Sequence, residues 1–137
     1  MTHSVAETEA AAAKLAESLV GGEIVALHGE LGAGKTQFAR GIVKGLGGDA
    51  SSVSSPTFVL LNVYDTGRLK VFHLDAYRVS GAEDFESIGF AELIEQGGVV
   101  IVEWPSRVET LLPAERIEVR LTTISPQVRR IEIERSA

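Results

Sequence analysis

The 137-residue sequence contains no cysteine. That absence excludes disulfides, thiolate nucleophiles and cysteine-ligated zinc or iron–sulfur centres, and it fits a reducing cytoplasm. Positive charge is also in short supply: 13 Lys and Arg stand against 19 Asp and Glu, for a formal net charge of −6. Attraction to phosphate backbones normally needs a basic face, so this balance argues against a dedicated nucleic-acid binder. No stretch approaches the ~20 apolar residues of a spanning helix. The N-terminal MTHSVAETEAAAAKLAES carries glutamates where a signal peptide would be basic and then apolar. A cytoplasmic protein with no membrane association is expected. With 45% apolar and 23% charged residues, the composition is that of an ordinary globular chain, and the length suits one domain spanning 1–137.

Periodicity outlines the elements. Residues 7–20 are alanine-rich, with Leu15 and Leu19 at i, i+4, and predict a helix ended by Gly21 and Gly22. EIVALH (23–28) predicts a buried strand, GELGAGKT (29–36) a glycine loop, and TQFARGIVKGL (36–46) a helix with Phe38, Ile42 and Leu46 on one face. The Gly- and Ser-rich 47–57 reads as a loop. Strands at 57–64 and 68–75 are joined through DTG (65–67) as a hairpin. Residues 82–96 suggest one helix or two short ones, 99–103 a buried strand, and 116–124 with 128–135 a half-exposed hairpin around SPQ.

The chemistry starts at the glycine loop. Gly29-x-x-x-x-Gly34-Lys35-Thr36 matches the P-loop pattern and lies between a strand and a helix, as the mechanism requires. Glycines let successive N–H groups curl toward phosphate oxygens, and the helix N-terminus adds partial positive charge. Lys35 supplies a point charge to the β- and γ-phosphates, and the Thr36 hydroxyl can ligate magnesium. Chance alone gives this pattern in on the order of 1% of chains, before its strand–helix setting is required.

A P-loop holding Mg-triphosphate generally needs a carboxylate at the end of a neighbouring parallel strand. VVIVEW offers Glu103 in that position, followed by Trp104, the only tryptophan. VFHLD (71–75) offers Asp75 in the same way, and either acid, or both, can serve the metal. His73 shares a strand face with Asp75, but His3 and His28 are too remote in sequence to complete a metal motif with it, and His73 reads as structural. No Asn-Lys-x-Asp guanine motif is present, which favours ATP. A metabolite kinase would need an acceptor site and usually an arginine-bearing lid, yet 79–98 contains neither Arg nor Lys. A small-molecule kinase and a non-hydrolysing ATP-gated adaptor are the alternatives to a hydrolysing ATPase. Ser55 and Thr57 lie where small P-loop proteins place a γ-phosphate-sensing loop; a plain connector accounts for them equally well.

LHGELGAGKTQFARG, SPTFVLLNVY, FHLDAYRV and VVIVEWPSRV, in this order and spacing, resemble the TsaE (YjeE) family of bacterial P-loop ATPases of tRNA threonylcarbamoyladenosine synthesis. The resemblance runs from about Thr8 to Val108. It implies an α/β, P-loop NTPase-like three-layer fold with a mostly parallel sheet and antiparallel hairpin strands. It also implies an ATPase serving the TsaB–TsaD complex, which transfers threonylcarbamoyl to adenosine 37 of tRNAs reading ANN codons, with tRNA engaged only indirectly. Carried over by position, Gly32, Ala33, Gly34, Lys35, Thr36 and Gln37 cradle phosphate, Thr36 and Glu103 bind Mg²⁺, and Asp75 lies near the metal or the attacking water. Thr57 would respond to nucleotide, Trp104 would lie close to it, and Thr8 would contact it. Gln37 stands where the family often has another threonine; its backbone N–H does the phosphate work. No arginine is placed by motif as a finger, and Arg78 and Arg107 read as surface ion-pair residues.

Overall fold

Six strands form one sheet in the order β2-β3-β4-β1-β5-β6 in a computed structural model of the chain. The structure describes residues 2–29, 34–48, 61–66, 68–75, 92, 95–105, 112–113 and 115–135, with the side chains of 61 and 75 excepted. The described elements are α1 (Val5–Ala16), β1 (Ile24–His28), α2 (Lys35–Gly45), β2 (Leu61–Asp65), β3 (Lys70–Asp75), β4 (Val99–Glu103), β5 (Ile117–Thr123) and β6 (Arg129–Arg135). Strands β3, β4, β1 and β5 run parallel, and β2 and β6 add antiparallel edges. The expected α/β fold with a mostly parallel sheet and hairpin strands is the one observed.

The strands β1 and β4 are almost wholly apolar, as parallel strands buried on both faces are. All five residues of β4 are buried, as are the first four of β1. On one face Val25, Leu27, Val99 and Ile101 pack with Leu15 and Ala16 of α1 and Phe38, Ile42 and Val43 of α2. Burying each large aliphatic side chain contributes about 1.5–3 kcal/mol, so this layer holds the helices on the sheet.

Helix α1 starts two residues earlier than the apolar spacing suggests. The Ser4 hydroxyl caps it by accepting from the Glu7 N–H at 3.1 Å, while the Glu7 carboxylate accepts from the His3 N–H at 3.3 Å. The helix also ends earlier, at Ala16. The Ser18 and Leu19 amides turn back onto the Leu15 and Ala16 carbonyls, and the Ser18 hydroxyl donates to Leu15 O at 2.8 Å, a side-chain bond that competes with further helix. The glycines act beyond this point: Gly21 has φ 111°, and a Cβ there would lie 2.3 Å from Gly97 O.

Strand β3 starts at Lys70, two residues later than its apolar run. Thr66 shapes the turn through its hydroxyl, which accepts from the Leu69 N–H at 2.9 Å and donates to the Leu69 carbonyl. The 82–96 helix expectation and the 47–57 loop fall almost wholly outside the described residues.

Candidate nucleotide site

Parallel pairing of β1 with β4 sets Leu27 opposite Glu103, so Gly29 and Trp104 leave the sheet at the same carboxyl edge. Open α/β sheets bind ligands outside the carboxyl ends of their strands. Here α2 begins at Lys35, with Gly34 as its N-cap at φ 102°, a left-handed conformation natural to glycine. The cap makes no side-chain hydrogen bond and the first turn has no acidic residue, which suits an anion at a helix N-terminus.

Lys35 ties the loop to the acidic strand. It is buried, its Nζ donates to the Gly29 carbonyl at 2.7 Å, and it lies 3.7 Å from the centroid of the Trp104 ring. Stacking of this kind contributes about 0.5–2 kcal/mol, more as the pair loses water. Trp104 is the one described non-glycine residue at positive φ, 57°. A bulky residue in that region costs energy that the surroundings must offset, and the ring's place over Lys35 is one such offset.

Glu103 is 3% exposed, and His73, fully buried on β3, bonds its Oε2 through Nε2 at 2.5 Å. The His73 ring also meets Tyr64, centroid to centroid at 6.1 Å. Its Nδ1 is buried and has no hydrogen-bond partner among the described residues. Asp75 is in register with Glu103 on the adjacent strand; its side chain is not among those described.

A cleft of about 350 Å³ opens beside the start of α2, lined by His3, Ser4, Thr8, Gly34, Gln37 and Arg129 among others. Its wall is stitched together by main-chain bonds in both directions between Thr2 and Arg129, at 2.8 and 2.9 Å. Buried Thr8 bonds the Thr2 hydroxyl at 2.9 Å, and its Cγ2 lies 3.9 Å from where a Cβ on Gly34 would be.

On the opposite face of the sheet, Glu118 of β5 is bonded by His28 of β1 and, at 2.5 Å, by the Arg116 guanidinium. Burial works to raise the Glu118 carboxyl. The bonds from Arg116 and His28, with their charges, outweigh it and hold the pKa below the ordinary carboxylate value.

Of the residues expected at the site, Gly29, Lys35, Glu103 and Trp104 meet at the carboxyl ends of β1 and β4. Thr8, Gly34 and Gln37 meet at the cleft, and Thr36 lies in the first turn of α2. Gly32, Ala33, Thr57, Arg78 and Arg107 lie outside the described residues. Sequence reasoning missed the contact of His73 with Glu103. The available signal was the shared parity of 71, 73 and 75 with 99, 101 and 103, which becomes informative only once the strand register is known. Thr2 and Arg129 carried no signal, since their pairing joins the two ends of the chain.

Strand, glycine loop and helix at the carboxyl edge of a mostly parallel sheet, with an acid ending the next strand, define a P-loop α/β protein. The sequence model described as "Threonylcarbamoyl adenosine biosynthesis protein TsaE" matches residues 2–131. The chain belongs to the TsaE family, whose members serve threonylcarbamoyladenosine biosynthesis in tRNA. It is 39% identical to the TsaE protein of Rickettsia felis over 90% of this chain and 71% of that one. It is 41% identical to that of Treponema pallidum over 82% of each chain. The crystal structure of YdiB from Bacillus subtilis superposes with a TM-score of 0.76 at 30% identity, covering 96% of this chain and 80% of the other.

Proposed function

We propose that the protein is a Mg-dependent ATPase, working as one P-loop domain in the cytoplasm, that hydrolyses ATP in support of a TsaB–TsaD complex during threonylcarbamoylation of adenosine 37 of tRNAs reading ANN codons. The observation that carries the reading is the position of Lys35, between the Gly29 carbonyl at 2.7 Å and the Trp104 ring at 3.7 Å. This joins the phosphate loop to the acid-bearing end of β4.

ATP would lie with its phosphates at the glycine loop and the first turn of α2, and its base toward the cleft beside Thr8 and Gln37. Lys35 would leave the Gly29 carbonyl for the β- and γ-phosphates. The residues suit magnesium, because the Thr36 hydroxyl and the Glu103 carboxylate are hard oxygen donors of the kind that ion takes. When bound, the ion would neutralise charge on the phosphate oxygens. In the reaction, a water oxygen bonds to the γ-phosphorus as the bond to the β–γ bridging oxygen breaks, and ADP leaves with the electron pair. Asp75, one strand over from Glu103, is the candidate to orient that water.

Turnover of the chain alone is expected to be slow, since an arginine finger contributes roughly 10³–10⁵ in rate where it operates and none is placed by motif here. The partner complex would complete the site or use its ATP-dependent change of shape. The test is to measure phosphate release with ATP or GTP, with and without TsaB, TsaD and tRNA, alongside threonylcarbamoyl transfer. ATP-specific release that rises in the full mixture is expected. Equal turnover with and without partners would refute partner completion. ATP consumed in proportion to a phosphorylated metabolite would replace the reading with a kinase.

A further inference from the structure

The buried contact between β3 and β4 has no explanation in stability alone. His73 is fully buried on the same sheet face as Val71 and Ile101, where an aliphatic side chain would pack without a polar penalty. Its Nδ1, buried with no hydrogen-bond partner among the described residues, carries a desolvation penalty that nothing repays. Its only described side-chain hydrogen bond is the one to Glu103. Replacing a buried polar pair of this kind with apolar residues is often neutral or stabilising, so the pair marks a role other than holding the sheet together.

Register supplies that role. His73 is opposite Ile101, and Glu103 is two residues further along the same face of β4, within diagonal reach across neighbouring strands. The imidazole therefore approaches the carboxylate from within the sheet, at the strand end that leads into Trp104. Donation from Nε2 commits Oε2 and leaves Oε1 with no bond from a described residue.

We propose that His73 is a positioning residue for the Glu103 carboxylate: its Nε2–H holds Oε2, so that the other oxygen is presented to the metal-bound nucleotide. This rests on the reading of Glu103 as the metal-facing acid. It differs from a metal-ligand role for His73, because the imidazole acts through the carboxylate. Partners that orient metal ligands in this way typically account for about 10–100-fold in metal affinity.

The test compares His73→Asn, His73→Gln and Glu103→Gln with the wild-type chain, using MgCl₂ titrated into the ADP complex and Trp104 fluorescence as the readout. The Gln amide nitrogen reaches approximately to the place of Nε2, whereas that of Asn stops near Nδ1. His73→Asn is expected to raise the Mg²⁺ midpoint about 10–100-fold. His73→Gln is expected to restore most of it, and ADP affinity in chelator should be unchanged in both. A wild-type midpoint in His73→Asn, beside a shifted one in Glu103→Gln, would overturn the positioning role. Equal losses in Asn and Gln with weakened ADP binding in chelator would also overturn it, by making His73 a packing residue. A wild-type midpoint in Glu103→Gln would instead remove the metal reading of Glu103 itself. A measurement on the wild-type chain needs no variant to fold: the ¹⁵N resonances of His73 should show a protonated Nε2 whose signal moves when Mg²⁺ joins the ADP complex. No movement would count against the proposal.

Discussion

Gly41 is where α1 and α2 come closest to sharing atoms. A Cβ built there would lie 2.3 Å from Glu9 O, 2.5 Å from the Ala12 Cβ and 2.9 Å from the Glu9 Cα. None of these atoms belongs to a flexible side-chain end, so Gly41→Ala must push one helix off the other. In an unhindered helix interior the same change would stabilise by about 0.8–1.0 kcal/mol. Overpacking costs about 1–3 kcal/mol, and because two of the three contacts are to backbone the upper part of that range applies. The net expectation is a loss of about 1–2 kcal/mol, or roughly 3–8 °C in Tm. Function should suffer as well. Thr8 on α1 and Gly34 at the start of α2 face each other across the cleft, so separating the helices should weaken nucleotide binding beyond what lost folding explains. Thermal unfolding by circular dichroism, with ADP affinity measured well below Tm, checks both parts. A rise in Tm would refute the close-packing argument.

Other perturbations have equally definite outcomes. Lys35→Met keeps the apolar stem but removes the charge that would meet phosphate. The loss of a charged hydrogen bond, about 1.5–3 kcal/mol, should weaken ATP about 10–100-fold by calorimetry and change Trp104 emission in the free protein; unaltered affinity would remove Lys35 from the site. Glu118 has a lowered pKa, so its bonds add stability that is complete above the unfolded value near ~4.3 and is lost as pH falls through the folded value. Glu118→Gln should therefore be less stable at neutral pH and should lose less stability on acidification below about pH 4.3. Denaturant unfolding across that range checks this, and a wild-type acid profile in the variant would contradict it.

The central layer of the fold was legible because its strands are fully buried and its helices are amphipathic, so hydrophobic spacing alone outlines β1, α2 and β4. The ends of elements were less legible because polar side chains set them. Ser4 extends α1 backward, Ser18 helps to stop it, and within the expected DTG turn the Thr66 hydroxyl sets the geometry. The glycine loop and the acid that ends β4 stood out because their chemistry depends on local spacing. The contact of His73 with Glu103 spans 30 residues and depends on strand order, which no local pattern carries. The cluster of His28, Arg116 and Glu118 was hidden in the same way. Alternation there indicated only a half-exposed hairpin, whereas Glu118 lies beside β1 and is buried.

In the proposed function, Glu103 serves a magnesium-dependent hydrolysis of ATP at the P-loop. The most direct measurement follows phosphate release and Trp104 fluorescence together, in wild type and Glu103→Ala, with Mg²⁺ and with chelator. The wild type is expected to hydrolyse ATP only with Mg²⁺, and the variant to bind nucleotide still but no longer turn it over. Unchanged hydrolysis in Glu103→Ala would contradict it and move the metal role to Asp75.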